Sequence, residues 1–323
     1  MSNNSVNERA GLRPVIVDLV AVARPGHWFK NVFMLPGIAL AILLADVPIS
    51  FDLVFRCVLS VLAVCIISSG YYTLNEWLDA AFDRFHPTKK HRPSAAGRLN
   101  APLAYGQWAV LTFAGLLLSA ALGQLFLLFA IVLVVMSLLY NVPPIRTKNR
   151  IYLDVLSESL NNPLRFLLGW AAVTSTVLPP SSILLAYWMG GAFLMAVKRY
   201  SEYRFINDPQ QAGLYRRSFQ FYSERTLLLS ALFYALSSAF FFGIFLIKYR
   251  IEFLLAVPGF SLLFVWYLAI GMEQDSIAQR PEELYTQHGF LGFVAALTAL
   301  VAVLFVVDIP WLHVLVEPVA FGH

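Results

Sequence analysis

Charge is what this sequence has least of. Only 13% of its 323 residues are Asp, Glu, Lys or Arg, where a soluble domain carries about 25%. With 59% hydrophobic residues and a mean hydropathy of +0.68, that scarcity excludes an ordinary water-soluble domain and makes lipid the solvent for most of the chain. Long polar stretches are missing too: the longest lie near 84–102, 199–225 and 273–288, which leaves a separate soluble domain no room. Cysteine is nearly absent. Cys57 and Cys65 fall in one apolar run, about 12 Å apart along a helix, too far to bridge, and they read as small core residues. No secretory signal is visible, since residues 1–13 are polar and the apolar stretch 15–23 is interrupted by Asp18. That stretch is too short to span and is expected to lie as an interfacial helix within a cytosolic N-terminus covering 1–30. No internal repeat or low-complexity tract is present. The formal charge is a modest +4, and no nucleic-acid partner is expected.

What is there is apolar sequence in long runs. A membrane core of ~30 Å needs about 20 mostly apolar residues to cross. Nine runs qualify, near 31–47, 52–74, 103–120, 123–140, 153–174, 179–198, 226–247, 252–272 and 289–308. The expected fold is therefore all-α, a polytopic nine-helix bundle forming one membrane domain over 1–323. With alternate loops assigned to opposite sides, nineteen of the 23 Lys and Arg residues fall on one side, among them Arg9, Arg13, Arg24, Lys30, Arg92, Arg146 and Lys148. Only Arg56, Lys248 and Arg250 face the other side, and Arg165 lies inside a span. The positive-inside rule then makes the N-terminus cytosolic.

The second span ends in Asn75-Glu76-x-x-Asp79-x-x-x-Asp83. On a 3.6-residue helix Tyr72, Glu76, Asp79 and Asp83 share a face, with Asn75 at its edge. Three carboxylates there repel one another unless a cation lies among them, and hard oxygen donors suit Mg²⁺, which binds through one or two carboxylates plus waters and substrate phosphates. A solvated acidic helix end is the plain alternative. The basic segment that follows at once, with Lys89, Lys90 and Arg92, favours function, because its cations can clamp a phosphate beside the metal. His86 and His91 have no partners at zinc-ligand spacing.

Two other spans carry polar residues. In the fifth, Asp154, Glu158, Asn161 and Arg165 fall on one stripe beside Asn162; they line a wet cavity or join helices. The sixth ends Lys198-Arg199-x-x-Glu202, a mainly cationic cluster better suited to a second anionic group than to a second metal.

Taken together these features resemble the UbiA superfamily of intramembrane prenyltransferases, whose first motif is roughly N-D-x-x-D-x-x-x-D; here Glu76 replaces the first Asp and keeps the carboxylate. Where aromatic prenyltransferases have a second D-x-x-x-D, this chain has Lys198-Arg199-x-x-Glu202. In that respect, and in Arg24-Pro25-x-x-Trp28-x-Lys30-Asn31, His86-Pro87-Thr88-Lys89-x-x-Arg92-Pro93 and Tyr222-Ser223-Glu224, it is similar to the polyprenyl-phosphate phosphoribosyltransferase branch. The resemblance implies a central cavity open to the cytosol, a bacterial inner-membrane location and a Mg²⁺ cofactor on Asn75, Glu76, Asp79 and Asp83. It further implies catalytic roles for Asp79, Asp83, Lys198 and Glu202, and substrate contacts from Lys30, Asn31, Tyr72, Lys89, Arg92, Tyr140, Arg146, Asn162, Arg165 and Arg199. The partners it implies are a polyprenyl lipid in the bilayer and a phosphorylated small molecule, with a homo-oligomer allowed. The reaction expected is transfer of a 5-phosphoribosyl group from phosphoribosyl pyrophosphate to a polyprenyl phosphate. The rival is prenyl transfer from a prenyl diphosphate to an aromatic or other acceptor. A transporter would need ionisable sites near the midplane and inverted repeats; here most charges sit at the cytosolic ends and no such repeat is visible.

Overall fold

The computed structural model describes residues 15–315; Arg9 and Arg13 lie outside them. Every regular element among the described residues is helical. Residues 15–23 form the first helix (α1). Arg24 then adopts a left-handed φ of 48°, and a 3₁₀ stretch, Pro25–Met34, runs into Leu35–Leu44 (α2). Next come Phe51–Asp83 (α3), Ala101–Leu122 (α4) and Gln124–Asn141 (α5). Ser50 and Asn100 cap α3 and α4, each side-chain oxygen accepting from the backbone N–H three residues on.

The expected fifth span, 153–174, is two short helices instead: Leu153–Ser159 (α6) and Asn161–Val173 (α7). Pro163 accounts for the break, since it has no N–H for the Ser159 carbonyl and its ring crowds that oxygen. Thirteen residues rise only about 20 Å. Among the described residues eight segments, one of them Val15–Leu44, are thus long and apolar enough to cross a membrane, where the sequence suggests nine. The Asp154–Glu158–Asn161–Arg165 stripe is divided as well, two residues on each helix.

The remaining helices are Ser181–Ile206 (α8), Pro209–Tyr215 (α9), Glu224–Tyr249 (α10), Val257–Gly271 (α11), His288–Val306 (α12) and Pro310–His313 (α13). The chain divides into two compact units, one made of the chain up to Pro179 with Ile206–Ser223, the other of Pro180–Phe205 with the chain from Glu224 on.

In the first unit α3 packs on α4, α5 and α7 around Val64, Ile67, Phe126, Leu133 and Leu168. Helices α2 and α7 meet backbone to backbone: a Cβ on Gly37 would sit 2.1 Å from the Phe166 carbonyl oxygen, and one on Gly169 2.2 Å from that of Met34. Small residues permit such approach where apolar burial alone cannot drive helices together. With 33 residues, α3 rises about 50 Å, well beyond a ~30 Å hydrocarbon core, so its polar last turns can extend past the lipid tails.

In the second unit Ser238 donates to the Ala186 carbonyl and Ser201 to that of Gly271, both at 2.8 Å. These bonds tie α8 to α10 and α11. On α10, Leu229, Leu232, Phe233, Leu236 and Phe240 form a stripe 55% to 65% exposed. In water such a stripe would aggregate; against acyl chains it is an ordinary lipid-facing surface.

Candidate active site

All three carboxylates of the α3 motif are held by cations, and each by a different segment. Glu76, 1% exposed, accepts from Arg24 at 2.5 Å through Oε2 and from the Ser94 N–H at 3.4 Å through Oε1. Asp79 Oδ1 receives both Arg146 at 2.7 Å and Lys148 at 2.6 Å. Asp83, also buried, takes Arg92 at 2.7 Å. Asn75 donates its amide to Asn141 Oδ1 at 2.6 Å, and the same oxygen accepts from Lys148 at 2.7 Å. One polar group therefore runs Asn75–Asn141–Lys148–Asp79–Arg146.

The loop after α5 delivers these cations through an unusual backbone. Arg146 sits at φ 32°, which carries its guanidinium over the Phe82 ring, 4.9 Å from the centroid, and onto the Leu78 carbonyl at 3.2 Å. Burial pushes the Lys148 ammonium down to about 8, against the opposing pull of Asp79. Burial likewise lowers Arg146, with the nearby Arg217 and Arg216 adding to it against Asp79. For Arg92 burial is the largest influence and acts downward, but Asp83, Tyr215 and Glu76 together outweigh it and raise the guanidinium above its usual value.

The other expected residues fall into separate contacts. Lys30 lies against His27 Nδ1 at 3.2 Å and over the Tyr72 ring at 5.8 Å. Lys89 bonds the Tyr215 hydroxyl. Tyr140 donates to Glu158 at 2.5 Å. Arg165 Nε donates to Asn31 Oδ1 at 2.9 Å, and Asn31 in turn reaches Cys65 Sγ at 3.1 Å, so this buried pair joins helices. Asn162 is half-buried on α7. In the second unit, Arg199 and Glu202, both 2% exposed, pair at 3.4 Å, with Lys198 half-buried beside them.

Sequence reasoning missed Arg24, Lys148 and Asn141 as site residues. In the sequence the two cations bear only on orientation or resemblance, and nothing local marks a residue as the partner of another 52 or 69 positions away.

Mg²⁺ fits this donor set in a limited way. Oδ2 of Asp79 and Oδ1 of Asp83 make no hydrogen bond among the described residues, so each aspartate keeps one hard oxygen for a metal. The three carboxylates are not gathered at one point, however. Among the described residues, the one trio of His, Cys, Asp or Glu whose ligand atoms all lie within 4.8 Å of one another is Glu252, Asp308 and His313. That suits an ion bound mainly through substrate phosphates and water.

The model of the UbiA prenyltransferase family matches residues 33–293. This chain belongs to that family. Among curated proteins, the UbiA-family chain is 28% identical over 190 residues to decaprenyl-phosphate phosphoribosyltransferase of Mycolicibacterium smegmatis, covering 58% of each chain. It is 29% identical over 202 residues to nodulation protein NoeC of Azorhizobium caulinodans, covering 61% of each. The chain thus spans about three fifths of the length of these curated relatives. Its fold matches a UbiA homolog from Archaeoglobus fulgidus bound to GPP and Mg²⁺, with TM-score 0.66, 21% identity, and 88% of this chain and 99% of that one covered.

Proposed function

We propose that this UbiA-family chain is a Mg²⁺-dependent transferase that moves the 5-phosphoribosyl group of phosphoribosyl pyrophosphate onto a polyprenyl phosphate. The observation that carries the reading is the pairing of every motif carboxylate with a cation. A site for a metal–pyrophosphate complex needs both kinds of group, carboxylates for the ion and guanidinium or ammonium groups for phosphate oxygens it leaves uncovered. Where a simple acidic metal site would have carboxylates alone, here Arg24, Arg92, Arg146 and Lys148 already lie on them.

In the reaction a phosphate oxygen of the lipid bonds to C1 of the ribose while the bond from C1 to the pyrophosphate oxygen breaks. The nucleophile is already anionic, so no general base is required. Bound through Asp79 and Asp83, with Glu76 and Asn75 adjoining, Mg²⁺ would neutralise charge developing on the leaving pyrophosphate. Arg146, Lys148, Arg92 and Lys89 would exchange protein oxygens for phosphate oxygens, and Lys30, Tyr72, Tyr140, Asn31, Asn162 and Arg165 would border the bound substrates. Lys198, Arg199 and Glu202 are assigned, on their sequence motif alone, to a further anionic group. Catalysis then rests on positioning and preorganised charge. The reading includes one membrane domain in a bacterial inner membrane, its N-terminus and cavity mouth cytosolic, with the broken α6–α7 pair as a ninth crossing element.

Relatives named decaprenyl-phosphate phosphoribosyltransferase support this choice, as does the cationic Lys198-Arg199-x-x-Glu202 end. The test is to incubate the purified protein with Mg²⁺, polyprenyl phosphate and labelled phosphoribosyl pyrophosphate. Label is expected in the lipid fraction. Unlabelled lipid, together with turnover of a prenyl diphosphate and an aromatic acceptor, would replace this reading by prenyl transfer.

A further inference from the structure

The second unit holds a cluster that the proposed reaction does not use. Glu252 follows α10, Asp308 follows α12 and His313 ends α13. His313 Nε2 lies 3.5 Å from Glu252 Oε1 and 3.5 Å from Asp308 Oδ1, and the three ligand atoms are mutually within 4.8 Å. Glu252 is 1% exposed, whereas the imidazole and the Asp308 carboxylate are open to solvent. An ion could therefore enter from outside and meet a fixed, buried carboxylate at the bottom.

Two details separate this from an ordinary set of surface charges. An N–H···O hydrogen bond sits at about 2.7–3.2 Å, and neither His313 contact reaches it; the ring makes no hydrogen bond among the described residues. A spacing of 3.5 Å does match a coordination edge: ligands about 2.0–2.2 Å from a tetrahedral ion are separated by roughly 3.4 Å. The second detail is charge. Arg250 faces Glu252 Oε2 at 3.3 Å and donates to the Leu304, Phe305 and Val307 carbonyls, so it fixes one carboxylate oxygen, while Oε1 accepts from the Ile309 N–H at 3.4 Å and has its second lone pair available on the side of His313, 3.5 Å away. Two carboxylates face a single guanidinium here, and a divalent ion would offset the carboxylate that Arg250 does not meet.

We propose that Glu252, Asp308 and His313 form a binding site for a divalent transition-metal ion of the zinc class, distinct from the Asp79–Asp83 site. Imidazole nitrogen with two carboxylate oxygens is a donor set for Zn²⁺, Mn²⁺ or Co²⁺, whereas Mg²⁺ takes oxygen donors. The three ligands come from three segments, so the ion would clip the ends of α12 and α13 to the chain after α10. The positive-inside assignment puts these ends on the non-cytosolic side.

The test uses full-length protein in detergent, freed of any affinity tag and stripped with a chelator, then titrated with ZnCl₂ by calorimetry and by thermal unfolding. The wild type should bind one Zn²⁺ at least tenfold more tightly than either His313→Ala or Asp308→Asn. Its melting temperature should rise with Zn²⁺ and not with Mg²⁺, and the rise should vanish in both variants. Both replaced side chains are solvent-exposed, so the variants should fold, and their metal-free melting curves check this. Equal Zn²⁺ affinity in wild type and His313→Ala would overturn the proposal. So would a melting temperature that follows pH between 5 and 7 but ignores Zn²⁺, which would make the cluster a proton site. Asp79→Asn should leave the zinc titration unchanged, so failure here and failure of the proposed transferase activity are read separately.

Discussion

Arg24→Met should destabilise the protein far more than Glu76→Gln, although the two changes break the same ion pair. The side chains are 2.5 Å apart, with 14% of Arg24 and 2% of Glu76 exposed. At an effective dielectric constant of 20 their attraction is about 7 kcal/mol, most of it offset by the desolvation of both groups. What decides the outcome is which partner is left behind. Without Arg24, the Glu76 carboxylate keeps only the Ser94 N–H at 3.4 Å and cannot reach water, and an unpaired buried charge costs about 3–5 kcal/mol. Without the carboxylate charge, Arg24 is partly wet and still faces a polar amide, so the loss is about 1–2 kcal/mol. At roughly 2 °C per kcal/mol for a chain of this size, the melting temperature should fall by about 6–10 °C in the first case and 2–4 °C in the second. The double variant Arg24→Met/Glu76→Gln should recover most of the first loss. The measurement is tryptophan fluorescence during heating in one detergent at one scan rate, because membrane-protein unfolding is commonly irreversible. If Arg24→Met is as mild as Glu76→Gln, or the double variant loses the sum of both, then Glu76 does not depend on Arg24 and the pairing argument fails.

Asp79→Asn and Asp83→Asn should each abolish turnover, by at least about 10³-fold if both oxygens meet the metal, while the protein elutes as a folded species in gel filtration; retained activity rules out the metal role. Lys148→Met should raise KM for the pyrophosphate donor and lower kcat by about 10²-fold, with Lys148→Arg recovering part of both in steady-state assays. Gly37→Ala and Gly169→Ala should each cost about 2–3 kcal/mol by forcing α2 and α7 apart, whereas Gly243→Ala, with nothing within 4 Å of the added methyl, should leave the melting temperature unchanged or slightly higher.

Membrane segments were legible wherever composition alone decides them. The runs at 52–74, 103–120 and 226–247 lie within helices α3, α4 and α10, and that at 123–140 starts one residue ahead of α5, because a long apolar run has no other way to satisfy its backbone in lipid. At 153–174 composition was not enough. Pro163 and the polar Asn161 and Asn162 were in plain view, but an apolar average over the window hides the one missing N–H that divides the helix. The close contact of α2 with α7 was also out of reach. Gly37 and Gly169 are ordinary glycines in sequence, and their purpose lies in carbonyls that approach from a helix more than 120 residues away.

The acidic motif was legible because its members are three and four residues apart, a spacing that a helix converts directly into a common face. Its cations were legible only as loop charges, and here the two kinds of reading draw on the same residues. Arg24, Arg92, Arg146 and Lys148 entered the count that orients the chain, and each is also an ion-pair partner of the motif. Setting these four aside leaves fifteen Lys and Arg on the assigned cytosolic side against three on the other, so the orientation does not depend on them. The converse inference is the informative one. A cation that serves only topology gains nothing by being buried, and burial of Lys148 to 3% exposure costs it enough charge stability to bring its ammonium down to about 8. Such a position is stable only with Asp79 and Asn141 already in place around it. Burial against a helix-end aspartate is therefore what separates Lys148 from the charges that merely anchor the loops.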